Sequence, residues 1–150
     1  MSELSDPLYR KDLLRLAADA SGMGRLAAPD ASATAHNPAC GDRVTVDLAL
    51  DEGRITALKH HTHACVLAQA SAAILAQAAV GLDRQGVAAL SLGVGEMLRH
   101  GAPPPRADYA VFDGVAEYAG RHKCVLLPLE AALAALETAA HDFPPHHGRP

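Results

Sequence analysis

The amino-acid sequence predicts an α+β domain in which a small antiparallel three-stranded sheet packs against helices. Two observations support this fold class. Runs of alternating apolar and polar residues, which are typical of half-buried strands, lie between residues 31 and 62. Helical patterns occupy the chain before and after this stretch, so strands and helices are segregated rather than alternating as they do in βαβ units.

The first elements follow from local signals. A helix is predicted over residues 7–20, with Asp6 as its N-cap and Pro7 at a position where the missing N–H is tolerated. Three strands come next, and the short loop 51–53 has the length of a hairpin connection between the last two. The predicted strands cover residues 31–36, 43–50 and 54–62.

The rest of the chain is predicted to be helical, over residues 65–80, 82–100, 108–119 and 126–140. The segment 65–80 is apolar nearly all round, which is typical of a helix buried on most sides. Pro128 is expected in the first turn of the last helix, where proline is tolerated. Residues 1–140 then form a single domain, and residues 141–150, rich in proline and histidine, form a flexible tail.

Composition and charge exclude several classes of protein. The 150 residues fit one domain, and 13 Lys+Arg against 17 Asp+Glu give a net charge of −4, which argues against a nucleic-acid-binding protein. Neither a signal peptide nor an apolar stretch of about 18 residues is visible, so we expect a cytoplasmic protein that does not bind membranes. In that reducing compartment, the three cysteines are expected to bind metal or to react rather than to form disulfides.

Each cysteine lies at the start of a predicted element. Cys40 and Asp42 are two residues apart, and they point to the same side if the backbone is extended. Cys65 begins a helix, and Cys124 follows a basic tripeptide and precedes a helix; these settings lower the pKa of a thiol. Three thiolates and one carboxylate are a suitable ligand set for Zn²⁺ or for the iron of a small cluster. The alternative is that all three are ordinary buried cysteines.

Further residues near this set have two interpretations each. His61, His63 and Cys65 are spaced two residues apart, so their side chains point to the same side if that stretch is extended. A histidine could therefore replace Asp42 or extend the site; the alternative is a solvated strand end. Arg121 could pair with Asp42 when the site is empty; the alternative is a surface arginine, whose ion pairs contribute little to stability.

Three segments carry a resemblance to a known family: Asn37-Pro38-Ala39-Cys40-Gly41-Asp42, then Ala64-Cys65 leading into Gln69-Ala70-Ser71-Ala72, then Arg121-His122-Lys123-Cys124. Over about residues 8–136 the chain resembles the IscU/NifU family of iron–sulfur cluster assembly scaffolds. The resemblance implies a small antiparallel sheet packed against helices. It also implies that Cys40, Asp42, Cys65 and Cys124 gather at one exposed end and hold a transient [2Fe–2S] cluster or Zn²⁺. A cysteine desulfurase would supply the sulfur, and apo iron–sulfur proteins would receive the cluster.

Within this family, the chain is most similar to the SufU branch. The residue before the third cysteine is Lys123 rather than histidine, no Leu-Pro-Pro-Val-Lys chaperone signal is present, and the segment between Cys65 and Cys124 is long. The chain departs from the family at Ala64, where glycine is usual. Cys124, beside Lys123 and Arg121, is the predicted sulfur acceptor.

Three hypotheses about function remain open at this point. The first is an iron–sulfur assembly scaffold. The second is a zinc-dependent sulfurtransferase that relays persulfide sulfur without building a cluster. The third is a structural zinc domain with no sulfur chemistry.

Overall fold

The sheet has three antiparallel strands in the order β1-β2-β3. In the computed structural model, which describes residues 10–39 and 41–142, these are β1 (Ala31–Asn37), β2 (Asp42–Asp51) and β3 (Arg54–His63). Glu52 and Gly53 connect β2 to β3 with positive φ angles of 51° and 82°, the conformation that tight hairpin loops favour. The predicted α+β class and its three strands are confirmed.

The two faces of the sheet have different environments. Val44, Val46 and Leu48 point inward from the central strand β2 and are fully buried. Since side chains alternate along a strand, the residues between them point the other way, to a face that no helix of the described residues covers. We call this the outer face; it carries Ser32, Thr34 and His36 of β1, Arg43, Thr45 and Asp47 of β2, and Lys59, His61 and His63 of β3.

In the described part of the chain, four α-helices enclose the core on the inner side of the sheet. They are α1 (Lys11–Ala17), α2 (Val66–Ala78), α3 (Arg84–His100) and α4 (His122–Asp142). Helix α4 packs against β1 and β2, and α2 packs against β3, α1 and α4. Among the described residues, no helix combines the length and the apolar character needed to cross a membrane.

Local interactions of single residues fix both ends of helix α3. The carboxylate of Asp83 accepts a hydrogen bond from the backbone N–H of Gly86 at 2.8 Å and so caps the N-terminus. At the other end, Gly101 takes a left-handed conformation (φ 71°) that glycine adopts without strain. The predicted helix over 82–100 is confirmed apart from its first two residues, which precede the helix.

Several predicted helices differ from the structure in type or in bounds. Residues 107–117 form a 3-10 helix, followed by a short one at 119–121, instead of the α-helix predicted over 108–119. Helix α1 ends at Ala17, three residues earlier than expected. The predicted N-cap Asp6 and the predicted helical residues before Arg10 lie outside the described residues.

Helix α4 begins at His122 rather than at residue 126, so Pro128 is its seventh residue and not part of the first turn. Proline cannot donate the N–H that would bond the carbonyl of Cys124 one turn earlier. The neighbouring carbonyl of Val125 accepts a hydrogen bond from the buried hydroxyl of Ser71 on α2 at 2.6 Å. A tertiary hydrogen bond therefore reinforces the helix where proline weakens its backbone ladder.

The helix also extends past the predicted domain boundary. Residues 141 and 142 belong to α4 and not to a tail. Residues 143–150 lie outside the described residues, so the flexible tail stays a prediction for them, as does the single-domain boundary.

Candidate metal centre

Cys65 lies at the N-terminus of α2, as its N-cap residue in an extended conformation (φ −67°, ψ 172°). The short connection from β3 is held by Gln69, whose side-chain amide donates to the carbonyl of Ala64 at 2.9 Å. The first N–H groups of a helix have no acceptor within the helix. Those of Leu67 and Ala68 stabilise the thiolate of Cys65 and contribute to its lowered pKa.

Asp42 is the first residue of β2 and pairs with Asn37 of β1. In the pairing of β2 with β3, Arg43 lies opposite His63, so the start of β2 and the end of β3 meet at the same end of the sheet. This register brings the Asp42 carboxylate close to Cys65. The carboxylate belongs to a residue that is only 7 % exposed, which is unusual for an aspartate that has no cationic partner among the described residues.

Cys124 is the third residue of α4 and is 1 % exposed. The helix packs on β1 and β2 and delivers this cysteine to the same end of the sheet. Its Sγ lies 3.7 Å from Oδ2 of Asp42 and forms a weak thiol hydrogen bond with it. Three separate elements therefore each supply one polar group to a single location.

The possible ligand atoms of Asp42, Cys65 and Cys124 all lie within 4.8 Å of one another. In the described part of the chain, no other group of three or more His, Cys, Asp or Glu residues is arranged in this way. Two sulfurs and a carboxylate oxygen are a donor set that suits Zn²⁺ or iron. The chemistry of the residues present therefore fits a metal ion.

Cys40 lies outside the described residues, so its membership of the ligand set stays a prediction. The condition under which Cys40 and Asp42 would point to the same side, an extended backbone, is not met at Gly41. Gly41 has a φ of 71°, in the left-handed region, where an alternating-side argument does not apply.

The two described thiols differ in acidity. A hydrogen bond from Cys124 lowers the pKa of Cys65 to about 6, against the opposing effect of burial. The same interaction, together with burial, raises the pKa of Cys124. The expectation that the basic residues before Cys124 lower its pKa is therefore wrong: the charge of Arg121 acts in that direction but does not outweigh the other causes. In the metal-free protein, the thiolate belongs to Cys65.

Of the two interpretations of Arg121, the ion pair with Asp42 does not form among the described residues. Within the described ranges, no basic side chain is paired with that carboxylate. The Nε of Arg121 is buried and has no hydrogen-bond partner among the described residues.

The histidines also stand apart from this group. No histidine nitrogen of the described residues joins Asp42, Cys65 and Cys124. His61 and His63 are exposed on the outer face, where their ring centroids lie 5.5 Å apart. The idea that one of them replaces or extends Asp42 is wrong for this arrangement.

One residue that supports the site was not identified from the sequence. Ser71 is fully buried on α2, and its hydrogen bond to the Val125 carbonyl ties the helix that begins after Cys65 to the helix that carries Cys124. The available signal was a hydroxyl in an otherwise apolar helix, which needs a hydrogen-bond partner when it is buried.

Known proteins resemble this chain in sequence. The NifU-like N terminal domain family matches residues 8–125. The iron-sulfur cluster assembly scaffold protein IscU of Streptococcus pyogenes serotype M1 is 26% identical over 109 residues, which cover 71% of this chain and 69% of that protein. The zinc-dependent sulfurtransferase SufU of Bacillus subtilis (strain 168) is 27% identical over 99 residues, covering 64% and 67% of the two chains.

Solved structures share the fold. The N-terminal part of a nitrogen-fixing NifU-like protein from Brucella abortus matches with a TM-score of 0.83 and 31% identity, over 93% of this chain and 99% of that one. FiSufU from Fervidobacterium islandicum AW-1 matches with a TM-score of 0.77 over 88% and 98% of the chains, and at 23% identity this likeness shows the fold alone. Since the family match spans most of the sequence, the chain belongs to the NifU-like N-terminal domain family.

Proposed function

We propose that this chain is an iron–sulfur cluster assembly scaffold, which binds iron or zinc and accepts sulfur from a cysteine desulfurase. The observation that carries the proposal is the meeting of Asp42, Cys65 and Cys124 within 4.8 Å, although they come from three different elements. Membership of a family that includes a relative named as a scaffold supports the same conclusion. The recipients would be apo iron–sulfur proteins in the cytoplasm.

The proposed ligand set is Cys40, Asp42, Cys65 and Cys124. Thiolates are soft ligands that hold zinc and iron–sulfur clusters tightly, whereas a carboxylate is a harder ligand that exchanges more readily. A set of three thiolates and one carboxylate therefore suits cargo that must later be released. Binding to such thiolates releases on the order of 10–16 kcal/mol in small zinc domains, enough to hold the three elements together.

Two cysteines are candidates for the sulfur acceptor. The sequence points to Cys124, beside Arg121 and Lys123. The described geometry adds Cys65, because it is the more exposed of the two and its pKa is lowered to about 6, so that it is a thiolate at neutral pH. In the transfer step, the acceptor thiolate attacks the outer sulfur of the donor's persulfide, the donor's S–S bond breaks, and the donor cysteine leaves as a thiolate.

Peptide-resolved mass spectrometry separates these candidates. The chain is incubated with a cysteine desulfurase and cysteine, and persulfides are trapped by alkylation. The modified peptide of the wild-type chain identifies the acceptor, and of the variants Cys65→Ser and Cys124→Ser, the one that lacks the acceptor should lose most of the persulfide while the other retains it. Retention of full persulfide loading in both variants would exclude both residues as acceptors.

Cluster assembly tests the proposed function itself. After anaerobic incubation with iron, cysteine and a desulfurase, we expect visible absorption of a cluster and its transfer to the apo form of a [2Fe–2S] protein. Asp42→Ala should alter cluster retention, whereas Asp51→Ala should not, because Asp51 is the exposed last residue of the same strand. Failure to assemble or transfer a cluster would contradict the proposal.

A second candidate is a zinc-dependent sulfurtransferase, which the similarity to a relative of that name and the presence of Lys123 favour. In that case the zinc-loaded chain accelerates desulfurase turnover, and no cluster forms. The third candidate, a structural zinc domain, predicts unfolding on chelation and no effect on any desulfurase.

A further inference from the structure

His61 and His63 form a pair of exposed imidazoles on the outer face of the sheet. They are two residues apart on β3, so both side chains point to the same side of the strand. Their ring centroids are 5.5 Å apart and the ring planes meet at 79°, an edge-to-face contact. Two ring systems that already touch need little rearrangement to bind the same ion.

We propose that His61 and His63 form a second metal site, separate from the thiols, for a divalent transition-metal ion. Imidazole nitrogen is a preferred ligand of zinc, copper and nickel, and two imidazoles held at one spacing chelate an ion better than either does alone. Water fills the remaining coordination positions, since no third ligand group of the described residues converges there. The proposal stands whether or not the thiol site holds a cluster.

The neighbours of the pair determine how tightly it binds. Thr45 lies opposite His61 and is neutral, and its hydroxyl is engaged with that of Thr34 at 2.7 Å. Arg43 lies opposite His63 and is exposed, so its charge opposes a bound cation. We therefore expect a site that exchanges its ion quickly, and we expect Arg43→Thr to tighten it.

The position of the histidine pair places a bound ion close to the thiol site. His63 is the last residue of β3, and Cys65 follows after a single residue. An ion held by the two imidazoles would lie at the end of the sheet where the thiols and Asp42 meet. The ion would be held near the thiols and Asp42 without being coordinated by them.

Nickel titration of the full chain tests the proposal. The thiol site is first loaded with one equivalent of Zn²⁺, and His146→Ala and His147→Ala are introduced because the adjacent tail histidines compete for Ni²⁺. Isothermal titration calorimetry measures the affinity, and paramagnetic broadening of backbone amide signals locates the ion. His61→Thr and His63→Thr are compared with His36→Thr, which removes an exposed histidine of β1 from the same face.

We expect amide broadening to centre on residues 61–63, and each of the two variants to weaken binding by about tenfold or more, whereas His36→Thr leaves it unchanged. Since His36, His61 and His63 are all exposed, we expect the fold to stay intact. Unaltered thermal unfolding of the zinc-loaded variants would show this. Equal affinities in all variants, or broadening elsewhere, would overturn the proposal.

Discussion

The Sγ of Cys124 lies 3.7 Å from the Oδ2 of Asp42, and the same thiol also donates toward the thiolate of Cys65. One S–H group thus has two acceptors, the carboxylate of Asp42 and the thiolate of Cys65. Burial removes the water that would otherwise solvate these charges, so the arrangement favours the entry of a cation. The metal-free site is therefore prepared electrostatically for a metal ion.

The reactivity of Cys65 should show its low pKa directly. In the metal-free chain, the rate of alkylation by iodoacetamide should rise with a midpoint near pH 6, because the thiolate is the nucleophile. Cys124→Ala removes the hydrogen-bond donor and should move the midpoint upward. Peptide-level mass spectrometry distinguishes Cys65 from the other cysteines. A wild-type midpoint near the ordinary value of 9.0 would contradict the assignment.

Ser71→Ala should destabilise the metal-free chain by about 0.5–1.5 kcal/mol, because it removes the buried hydrogen bond that the serine hydroxyl donates to the carbonyl of Val125. Urea unfolding measures this free energy. The matched control is Ser91→Ala on α3, where the serine is only half-buried and the change should be within about 0.5 kcal/mol. Equal effects of the two substitutions would remove the role assigned to this hydrogen bond.

His60 should make stability depend on pH. It is buried, its Nδ1 bonds the hydroxyl of Thr62 at 2.9 Å, and its Nε2 has no partner among the described residues. Burial lowers its pKa below 6.5, so the unfolded chain takes up the proton first and stability falls as the pH drops below about 6.5.

Urea unfolding of the metal-free chain at about pH 5.5 and pH 7.5 checks this pH dependence. His60→Leu should flatten the difference between the two pH values, whereas His36→Leu, at an exposed position, should preserve it. An identical pH dependence in wild type and His60→Leu would contradict the account.

Gly22 should not tolerate a side chain. A Cβ at this position would lie 2.5 Å from the Cβ of Ala76 on α2, so Gly22→Ala should cost about 1–3 kcal/mol through overpacking. At Gly120, by contrast, a Cβ would meet nothing within 4 Å, and Gly120→Ala should change the free energy of unfolding by less than about 1 kcal/mol. Chemical denaturation of both variants tests the difference, and equal stabilities would refute it.

The strands were predictable because alternation of side chains reports directly which face is buried. The start of α4 was not, because His122 and Lys123 lack an N-cap signal, and the helix there is stabilised by packing against the sheet and by Ser71. The 3-10 conformation of residues 107–117 was missed because its apolar spacing resembles that of an α-helix.

For the site, the residue types of Asp42, Cys65 and Cys124 indicated the chemistry, and the structure brings these three together. Which of the two thiols has the lower pKa could not be inferred from residue types. It depends on which thiol is buried and which faces a helix N-terminus, and these are properties of the packed protein. For the same reason, the charge of Arg121 alone did not predict an ion pair.

X-ray absorption at the zinc edge of the chain loaded with one equivalent of Zn²⁺ is the most direct test of the proposed ligand set. We predict three sulfur neighbours at about 2.3 Å and one oxygen at about 2.0–2.2 Å, with the oxygen contribution altered in Asp42→Ala and unchanged in Asp51→Ala. A first shell made only of nitrogen and oxygen, or one unaffected by both Cys65→Ser and Cys124→Ser, would contradict the account.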